Sequence, residues 1–177
     1  MTISTAIDFA TYIRTVPDFP QPGIMFKDIT PLLANPDAFS AAISQMSCFV
    51  PHNTTAILGI ESRGFIFGAA LAQQMDLSFV PVRKPGKLPA ATYGIDYELE
   101  YGKDRLEIHQ DALDAGQKVV IVDDLLATGG TAAATVELLR QIKGVDIGAL
   151  LFAIELDFLA GRDKLSGIPV HSLLHYS

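Results

Sequence analysis

Residues 119–139, VVIVDDLLATGGTAAATVELL, restrict the possible folds more than any other part of the chain. The segment begins with apolar, β-branched residues typical of a buried strand and ends in residues of high helix propensity. Asp123, Asp124 and a turn with two glycines stand between these two parts. A strand, a glycine-containing turn and a helix in this order predict a βα unit of a mostly parallel sheet.

The rest of the chain repeats this alternation of apolar runs and amphipathic stretches. Strands are predicted at residues 55–60, 78–82, 118–122, 147–155 and 170–175. Helices are predicted at residues 5–14, 64–75 and 131–142, and from the cap Asn35 to about Phe49. The predicted fold class is therefore α/β, with a mostly parallel twisted sheet flanked by helices, in a single domain over residues 1–177.

Two segments interrupt the alternation. Residues 16–24 contain three prolines within six residues, which predicts an extended, non-helical path. They belong to a small N-terminal hood at about residues 1–35. Residues 85–101 are too long for an ordinary connection, so they form a functional loop, a mobile loop or a hairpin. We place this long flexible loop at about residues 83–105.

Charge and cysteine usage exclude several classes of protein. The formal net charge of −7 disfavours binding to nucleic acids and to anionic membranes. A single cysteine, Cys48, allows no internal disulfide and indicates a reducing compartment, so we expect a cytoplasmic protein. We find no signal peptide and no apolar run long enough to span a membrane. The local basic cluster RKPGK, residues 83–87, suits a small anionic ligand.

The glycine-containing turn is a candidate phosphate site. Backbone N–H groups beside glycines approach a phosphate closely, and the start of the following helix adds partial positive charge. Hydroxyl groups add further donors. The predicted cradle for one phosphate monoester consists of Ala127, Thr128, Gly129, Gly130 and Thr131. No Gly-Lys-Ser/Thr follows, so this turn is not the loop of a nucleoside triphosphatase.

Asp123 and Asp124 directly precede this cradle. Carboxylates repel phosphate but accept hydrogen bonds strongly from hydroxyl groups. The pair therefore predicts a ligand with vicinal hydroxyls next to its phosphate, and ribose 5-phosphate is such a ligand. The alternative is that the two acids merely end a strand and the glycines make a tight turn.

Residues 119–131 resemble the phosphoribosyl pyrophosphate signature of the type I phosphoribosyltransferases. Four further segments resemble the adenine-specific branch of this family in order and spacing: PDFPQPGIMFKDITPLL, GIESRGFIFG, RKPGKLP and YELEYGKDRLEIH, at residues 17–33, 59–68, 83–89 and 97–109. The resemblance covers nearly the whole chain. It implies the type I phosphoribosyltransferase fold, with a hood and a flexible catalytic loop.

The resemblance also implies a second anion site, for pyrophosphate. Arg63 follows a predicted strand, where its guanidinium can bind pyrophosphate oxygens through two hydrogen bonds. The predicted pyrophosphate set is Glu61, Ser62, Arg63, Arg83, Lys84, Lys87 and Tyr101. A cis peptide near Glu61–Ser62 is often found in the family. The alternative for the three basic residues of the loop is an ordinary solvated charge run.

Further roles follow from the same resemblance. Glu100, Arg63 and Lys87 are the predicted catalytic residues, with Glu100 near the reacting centre; its alternative is a solvated glutamate of a strand. Met25 and Lys27 are predicted to contact adenine through their main chain, with Phe26 stacking near the ring. For Met25 and Phe26 the alternative is simple core packing. The family commonly has arginine at the position of Lys27.

The predicted reaction transfers phosphoribose from phosphoribosyl pyrophosphate to adenine, giving AMP and pyrophosphate. Mg²⁺ is expected with the donor, held mainly by substrate oxygens and not by protein side chains. A homodimer is implied, with Lys87 entering the partner subunit's site. Three alternatives remain: transfer to another base, a nucleotide-sensing regulator on the same fold, and a phosphate-binding module without catalysis.

Overall fold

The computed structural model describes residues 7–99 and 102–177. The strands are β1 (Arg14–Val16), β2 (Phe26–Asp28), β3 (Ala56–Ile60), β4 (Ser78–Val82), β5 (Thr92–Leu99), β6 (Gly102–His109), β7 (Lys118–Leu126), β8 (Asp146–Leu156) and β9 (Val170–Tyr176). The α-helices are α1 (Thr30–Ala34), α2 (Pro36–Ser47), α3 (Gly64–Met75) and α4 (Gly130–Leu139). Short 3-10 helices cover Phe9–Tyr12, Asp157–Leu159 and Gly161–Leu165.

A parallel sheet of five strands forms the centre of the fold, in the order β4-β3-β7-β8-β9. Helix α3 connects β3 to β4 and helix α4 connects β7 to β8, and each returns the chain to the same end of the sheet, so these strands pair in parallel. The carboxyl ends of β3 and β7, which are neighbours, therefore lie side by side. This topology confirms the predicted fold class, and ligands of such sheets bind at that edge.

Alternating side chains of the sheet form a core on each face. On one face, Leu58 and Ile121 pack with residues of α4 and of the β5–β6 hairpin. On the other face, Ile57 and Val120 pack with residues of α2 and α3. Strands that are covered on both faces must be apolar at every position. This requirement explains the continuous apolar runs in the sequence. Within the described residues, no helix is long and apolar enough to cross a membrane.

The predicted helix starts are confirmed where the capping chemistry is strong. The Asn35 side chain accepts a hydrogen bond of 2.9 Å from the backbone N–H of Ala38, and Pro36 is the first residue of α2. An amide oxygen at this position satisfies an N–H group that has no partner within the helix, and proline lacks such a group. The predicted bounds of α3 agree with the structure. The predicted helix at residues 131–142 ends at Leu139 instead.

The hood differs from the prediction in two ways. Instead of a helix at residues 5–14, the described part forms only the 3-10 turn Phe9–Tyr12, followed by β1. The proline-rich segment is not helical, as predicted, but it is not extended either. The backbone N–H of Phe19 donates to the carbonyl oxygen of Ile24, at 3.3 Å, so the chain folds back on itself. Strands β1 and β2 can therefore pair as an antiparallel ribbon.

Most of the predicted loop at residues 83–105 is a hairpin. Strands β5 and β6 pair in antiparallel register from Thr92↔His109 to Leu99↔Gly102, and β5 packs on α4. Arg83 and Glu107 exchange two backbone hydrogen bonds of 2.8 Å, which tie the end of β4 to β6. One of the three possibilities left open by the sequence is thus realised. The predicted flexibility of this segment stays a prediction.

Candidate active site

The predicted phosphate cradle lies at the carboxyl end of β7, where α4 begins. Gly129 has φ +75°, a left-handed conformation that glycine adopts without strain. A Cβ atom there would lie 2.3 Å from the carbonyl oxygen of Gly161, so the turn packs directly against the segment that follows β8. A cavity of about 190 Å³ opens at this point. It is lined by Arg63, Phe152 and residues 123–132.

Asp123 and Asp124 are the last polar residues before the cradle, and both line the cavity. Only 5% of Asp124 is exposed. Burial, followed by the charge of the neighbouring Asp124, raises the pKa of Asp123 well above its ordinary value. Burial also raises the pKa of Asp124, although the guanidinium of Arg63 opposes that shift. Burying two adjacent carboxylates costs free energy unless a ligand or a cation binds them. Such a pair therefore indicates a binding site.

Arg63 provides the cation. Its Nε lies 2.9 Å from Oδ2 of Asp124, across the gap between the end of β3 and the end of β7. This approach depends on Gly64, where an added Cβ would lie 2.7 Å from the carbonyl oxygen of Val122. The start of α3 can therefore lie against the backbone of β7 at Val122. In this structure the Arg63 side chain is paired with Asp124. To contact pyrophosphate as predicted, it would have to leave that carboxylate.

The turn before Arg63 carries a second ion pair. Both carboxylate oxygens of Glu61 accept hydrogen bonds from the Arg83 guanidinium, at 3.1 and 3.2 Å, and one also accepts the backbone N–H of Lys84 at 2.9 Å. Burial opposes ionisation, but these donors lower the pKa of Glu61 overall. The Glu61–Ser62 peptide is cis, as the family resemblance implied, and Ser62 is exposed. Glu61 thus serves as the partner of Arg83.

Two lysines complete the predicted cationic group. Lys84 directs its ammonium at the carboxylate of Asp104 and at the hydroxyl of Tyr97, the latter at 3.1 Å. Lys87 is exposed, and its carbonyl oxygen accepts a hydrogen bond from Arg83. Arg83 and Lys84 are thus ordered by carboxylates, so they are not the solvated charge run of the alternative interpretation.

The hood brings the predicted base-binding residues to the same edge of the sheet. The ring of Phe26 lies 5.2 Å from Cζ of Arg63, and the ring of Phe19 meets it edge-on at 5.0 Å. Met25 is 56% exposed. Such exposure disfavours the simple core packing that was the alternative for Met25, because a core methionine has no access to solvent. An apolar surface therefore faces the site from above.

Lys27 points away from this apolar surface. Its ammonium lies 3.9 Å from the ring centroid of Tyr176 and donates a hydrogen bond of 3.0 Å to Oγ1 of Thr15. The side chain thus anchors the hood to β9. Asp28 connects parts of the hood with one another, because Arg14 and Thr30 donate to its carboxylate. The hydrogen bonds from Thr30, followed by that from Arg14, lower the pKa of Asp28 to about 2.

Two predicted residues, Glu100 and Tyr101, lie outside the described part of the chain. Other residues at the site were missed by sequence reasoning. Gly161 supports the phosphate turn, Tyr97 and Asp104 hold Lys84, and Tyr176 holds Lys27. The only signal was indirect: Tyr97 and Asp104 lie within the YELEYGKDRLEIH segment, whereas nothing in the sequence singled out Gly161 or Tyr176.

The site can be compared with known proteins. The family model of the phosphoribosyl transferase domain matches residues 26–157. A protein of Acidobacterium capsulatum named adenine phosphoribosyltransferase is 57% identical over 93% of this chain and 91% of its own length. One from Chloroflexus aurantiacus, of the same name, is 53% identical over 97% of this chain and 99% of its own.

Solved structures agree with these sequences. The crystal structure of adenine phosphoribosyltransferase from Thermoanaerobacter pseudethanolicus superposes with a TM-score of 0.92 at 49% identity, over 97% of this chain and all of the other. That of the Saccharomyces cerevisiae enzyme, complexed with an imino-altritol bisphosphate and adenine, gives 0.88 at 43% identity, over 94% of this chain and 96% of the other. The likeness therefore includes both the hood and the phosphate turn.

Proposed function

Because the chain belongs to the phosphoribosyl transferase family and, within it, groups with the adenine phosphoribosyltransferases, we propose that the site described above joins phosphoribose to adenine. The reaction is that of a pentosyltransferase of purine salvage: adenine and phosphoribosyl pyrophosphate give AMP and pyrophosphate. The small-molecule partners are these four compounds. We further propose a cytoplasmic homodimer, in which the exposed Lys87 reaches the partner subunit's site.

One observation carries the assignment of roles. Arg63 touches the Phe26 ring on one side and Asp124 on the other, while Asp124 adjoins the phosphate turn. A ligand lying along this line meets an apolar surface, then two carboxylates, then a ring of backbone N–H groups. These features suit a base, a diol and a phosphate monoester in that order. AMP presents the same three parts in the same order.

The roles of the residues follow from this alignment. The turn at residues 127–131 holds the 5-phosphate, and Asp123 and Asp124 accept hydrogen bonds from the ribose hydroxyls. Arg63, Arg83, Lys84 and Lys87 face the pyrophosphate, with Ser62 and Tyr101 beside it. The main chain at Met25–Lys27 contacts adenine.

The bond between the ribose anomeric carbon and a pyrophosphate oxygen breaks as the bond to a ring nitrogen of adenine forms. Positive charge develops on the sugar in between, and the cations stabilise the leaving pyrophosphate. The ring nitrogen loses a proton, and Glu100 is proposed to accept it, as a carboxylate at the reacting centre can.

Mg²⁺ is the proposed cofactor, bound with the donor. Bound there, it would neutralise part of the pyrophosphate charge. The described residues fit this arrangement, since Asp124 is already paired with Arg63 and Asp123 accepts the N–H of Asp124 at 2.9 Å. Mg²⁺ commonly keeps water and substrate oxygens as ligands. A separate group, Glu155, Asp157 and His175, lies near β9, where Arg162 and Ser172 already occupy the Glu155 carboxylate.

Turnover tests the proposed function. Purified protein with Mg²⁺ and phosphoribosyl pyrophosphate is expected to form AMP from adenine, and a chelator in excess over Mg²⁺ is expected to reduce the rate at least about a hundredfold. Hypoxanthine, guanine and uracil, offered in competition, should react far more slowly. Efficient turnover of one of these bases would mean that it, and not adenine, is the substrate. Failure to form a nucleotide from any base would refute the assignment.

The hood anchor gives a prediction about the base end. Replacing Tyr176 by leucine removes the ring beneath the Lys27 ammonium, and a cation–π contact contributes about 0.5–1 kcal/mol at exposed sites. We expect the KM for adenine to rise about threefold to fivefold, with little change in the KM for the donor. Steady-state kinetics with each substrate varied in turn will measure both values.

Lys27→Arg is the matched variant, since it keeps a cation over the ring. It should keep the KM for adenine within about twofold of that of the wild type. An equal rise in the KM values of both substrates in Tyr176→Leu would show that the contact stabilises the fold generally and does not position the hood.

A further inference from the structure

A polar network on the β5–β6 hairpin, near the Leu99↔Gly102 end of its ladder, includes two residues that have no part in the roles assigned above. Tyr97 and Asp104 are direct cross-strand partners in the β5–β6 ladder, so their side chains share one face of the hairpin. The Tyr97 hydroxyl donates to Oδ2 of Asp104 at 3.1 Å. The Lys84 ammonium contacts both side chains. The hairpin thus holds the end of a long side chain that begins at β4.

The network continues to the phosphate turn. Oγ1 of Thr131 lies 3.5 Å from the Tyr97 hydroxyl, in donor geometry. Tyr97 therefore stands between a proposed phosphate contact and a proposed pyrophosphate contact. Helix α4, which begins at this turn, packs on β5 and keeps the two elements in register.

The other end of Lys84 is fixed as well. Its backbone N–H donates to Glu61, whose carboxylate also binds Arg83. A lysine side chain loses considerable rotamer entropy when it is ordered at a binding site, and a protein that orders it beforehand improves binding by that amount. Lys84 is held at both its backbone and its ammonium before any ligand arrives.

The position of Asp104 is otherwise unfavourable. A carboxylate near two proposed anion sites repels the ligand of both, and its own burial disfavours ionisation. The ammonium of Lys84 and the N–H of Arg105 nevertheless lower the pKa of Asp104, so it carries a negative charge at neutral pH. An acid at such a place is explained if its task is to hold a cation.

We propose that Asp104, together with the Tyr97 hydroxyl, is a positioning residue that places the Lys84 ammonium for binding of the pyrophosphate end of the donor. This inference rests on the proposed function of Lys84. Asp104 acts through Lys84 alone and touches no reacting atom. It sets the affinity for the donor, whereas the adenine end of the site is independent of it.

The test compares Asp104→Asn, Tyr97→Phe, Lys84→Met and the double variant Lys84→Met/Asp104→Asn. Kinetics with each substrate varied, and titration calorimetry with magnesium phosphoribosyl pyrophosphate alone, give the donor KM and Kd. Asp104→Asn is expected to raise both about tenfold, and Tyr97→Phe about threefold, while kcat and the KM for adenine change less than about twofold. Asp104→Glu, which keeps the carboxylate, should recover most of the affinity.

Asp96→Asn is the matched control. It removes a carboxylate from the same hairpin and breaks an ion pair, with Arg105 at 2.9 Å, that does not reach Lys84. It should leave donor binding unchanged. The double variant should bind the donor no more weakly than Lys84→Met, because an absent ammonium needs no positioning.

Four results would overturn the proposal. Additive effects in the double variant would give Asp104 a role of its own, and tighter donor binding by Asp104→Asn would mean that the carboxylate withholds Lys84. An unchanged donor Kd in Lys84→Met would refute the assigned role of Lys84 and this proposal with it. If Lys84→Met weakens binding but Asp104→Asn does not, this proposal alone fails. AMP formation by the wild type stands apart from all of these results.

Discussion

Replacing both Asp123 and Asp124 by asparagine is expected to lower kcat/KM for the donor about a thousandfold while the protein remains folded. Each carboxylate is proposed to accept a charge-assisted hydrogen bond from a ribose hydroxyl, and such bonds contribute about 1.5–3 kcal/mol. An amide oxygen accepts more weakly. Initial-rate kinetics at fixed adenine concentration and circular dichroism will measure the activity and the fold.

The stability of Asp123→Asn separates a functional role from a structural one. Burial and the charge of Asp124 raise the pKa of Asp123 in the folded state, so its favourable contribution to stability exists below the unfolded pKa of 3.8. That contribution is lost as the pH rises through the higher folded value. Above that folded value the charged side chain lowers the stability of the wild type, so at such a pH the variant should resist urea better than the wild type. Asp124 differs, because it is paired with Arg63.

The expected advantage of Asp123→Asn should shrink as the pH is lowered through the folded pKa of Asp123, since the wild-type side chain then becomes protonated and neutral. Urea unfolding at several pH values measures this trend. A variant that loses both activity and stability at pH 7 would instead indicate that the two acids serve the fold, as the strand-end alternative holds.

Gly129→Ala is expected to destabilise the protein by about 3 kcal/mol and to reduce donor affinity more than a hundredfold. Two effects add: a left-handed conformation costs a residue with a Cβ about 1–2 kcal/mol, and overpacking costs about 1–3 kcal/mol. The added Cβ would meet the Gly161 carbonyl oxygen at 2.3 Å, so the turn must move. Movement of the turn displaces the N–H groups proposed to bind phosphate. Chemical unfolding and calorimetry with the donor measure the two effects.

Gly130→Ala is the control for stability. A Cβ at Gly130 would meet nothing nearer than 3.8 Å, and the residue is helical. Alanine is better than glycine in a helix, so the stability of this variant should be unchanged or raised by less than about 1 kcal/mol. If Gly129→Ala were as stable as Gly130→Ala, the tight packing of the turn against Gly161 would be refuted.

The helices and strands that the sequence predicted well are those marked by residues close together in the chain. The strand at residues 78–82 and the helix at residues 64–75 agree with β4 and α3, because both are marked by apolar runs and by turn residues at their ends. Asn35 and Pro36 marked the start of α2 for a similar reason. Each of these features depends on residues close together in the chain.

The errors concern segments whose conformation depends on particular hydrogen-bond partners and not on residue propensity. Proline-rich residues 16–24 were predicted to be extended from their restricted φ angles alone, but the fold-back depends on the bond between Phe19 and Ile24 and on a bond from the N–H of Gly23 to Asp18. The helix predicted at residues 5–14 is shortened to the 3-10 turn Phe9–Tyr12, and the chain then enters β1, which pairs with β2. Helix propensity is a weak signal when a strand partner is present.

The sequence indicated many of the residues that line the cavity, but not the residues that support them. Glycine, threonine and paired acids between a strand and a helix indicate phosphate and hydroxyl binding by their chemistry alone. The supports, such as Gly161 behind Gly129 and Tyr176 beneath Lys27, lie far away in the chain. A backbone carbonyl or an aromatic face at such a distance leaves no pattern in one sequence.

Three of the four cations proposed to face the donor already have an anionic partner: Arg63 has Asp124, Arg83 has Glu61 and Lys84 has Asp104. The donor therefore meets cations whose charge neighbouring carboxylates already balance in large part. A simple anion such as sulfate meets little net positive charge there, so it should compete poorly with the donor. Affinity should then depend on ionic strength less steeply than a count of basic residues suggests.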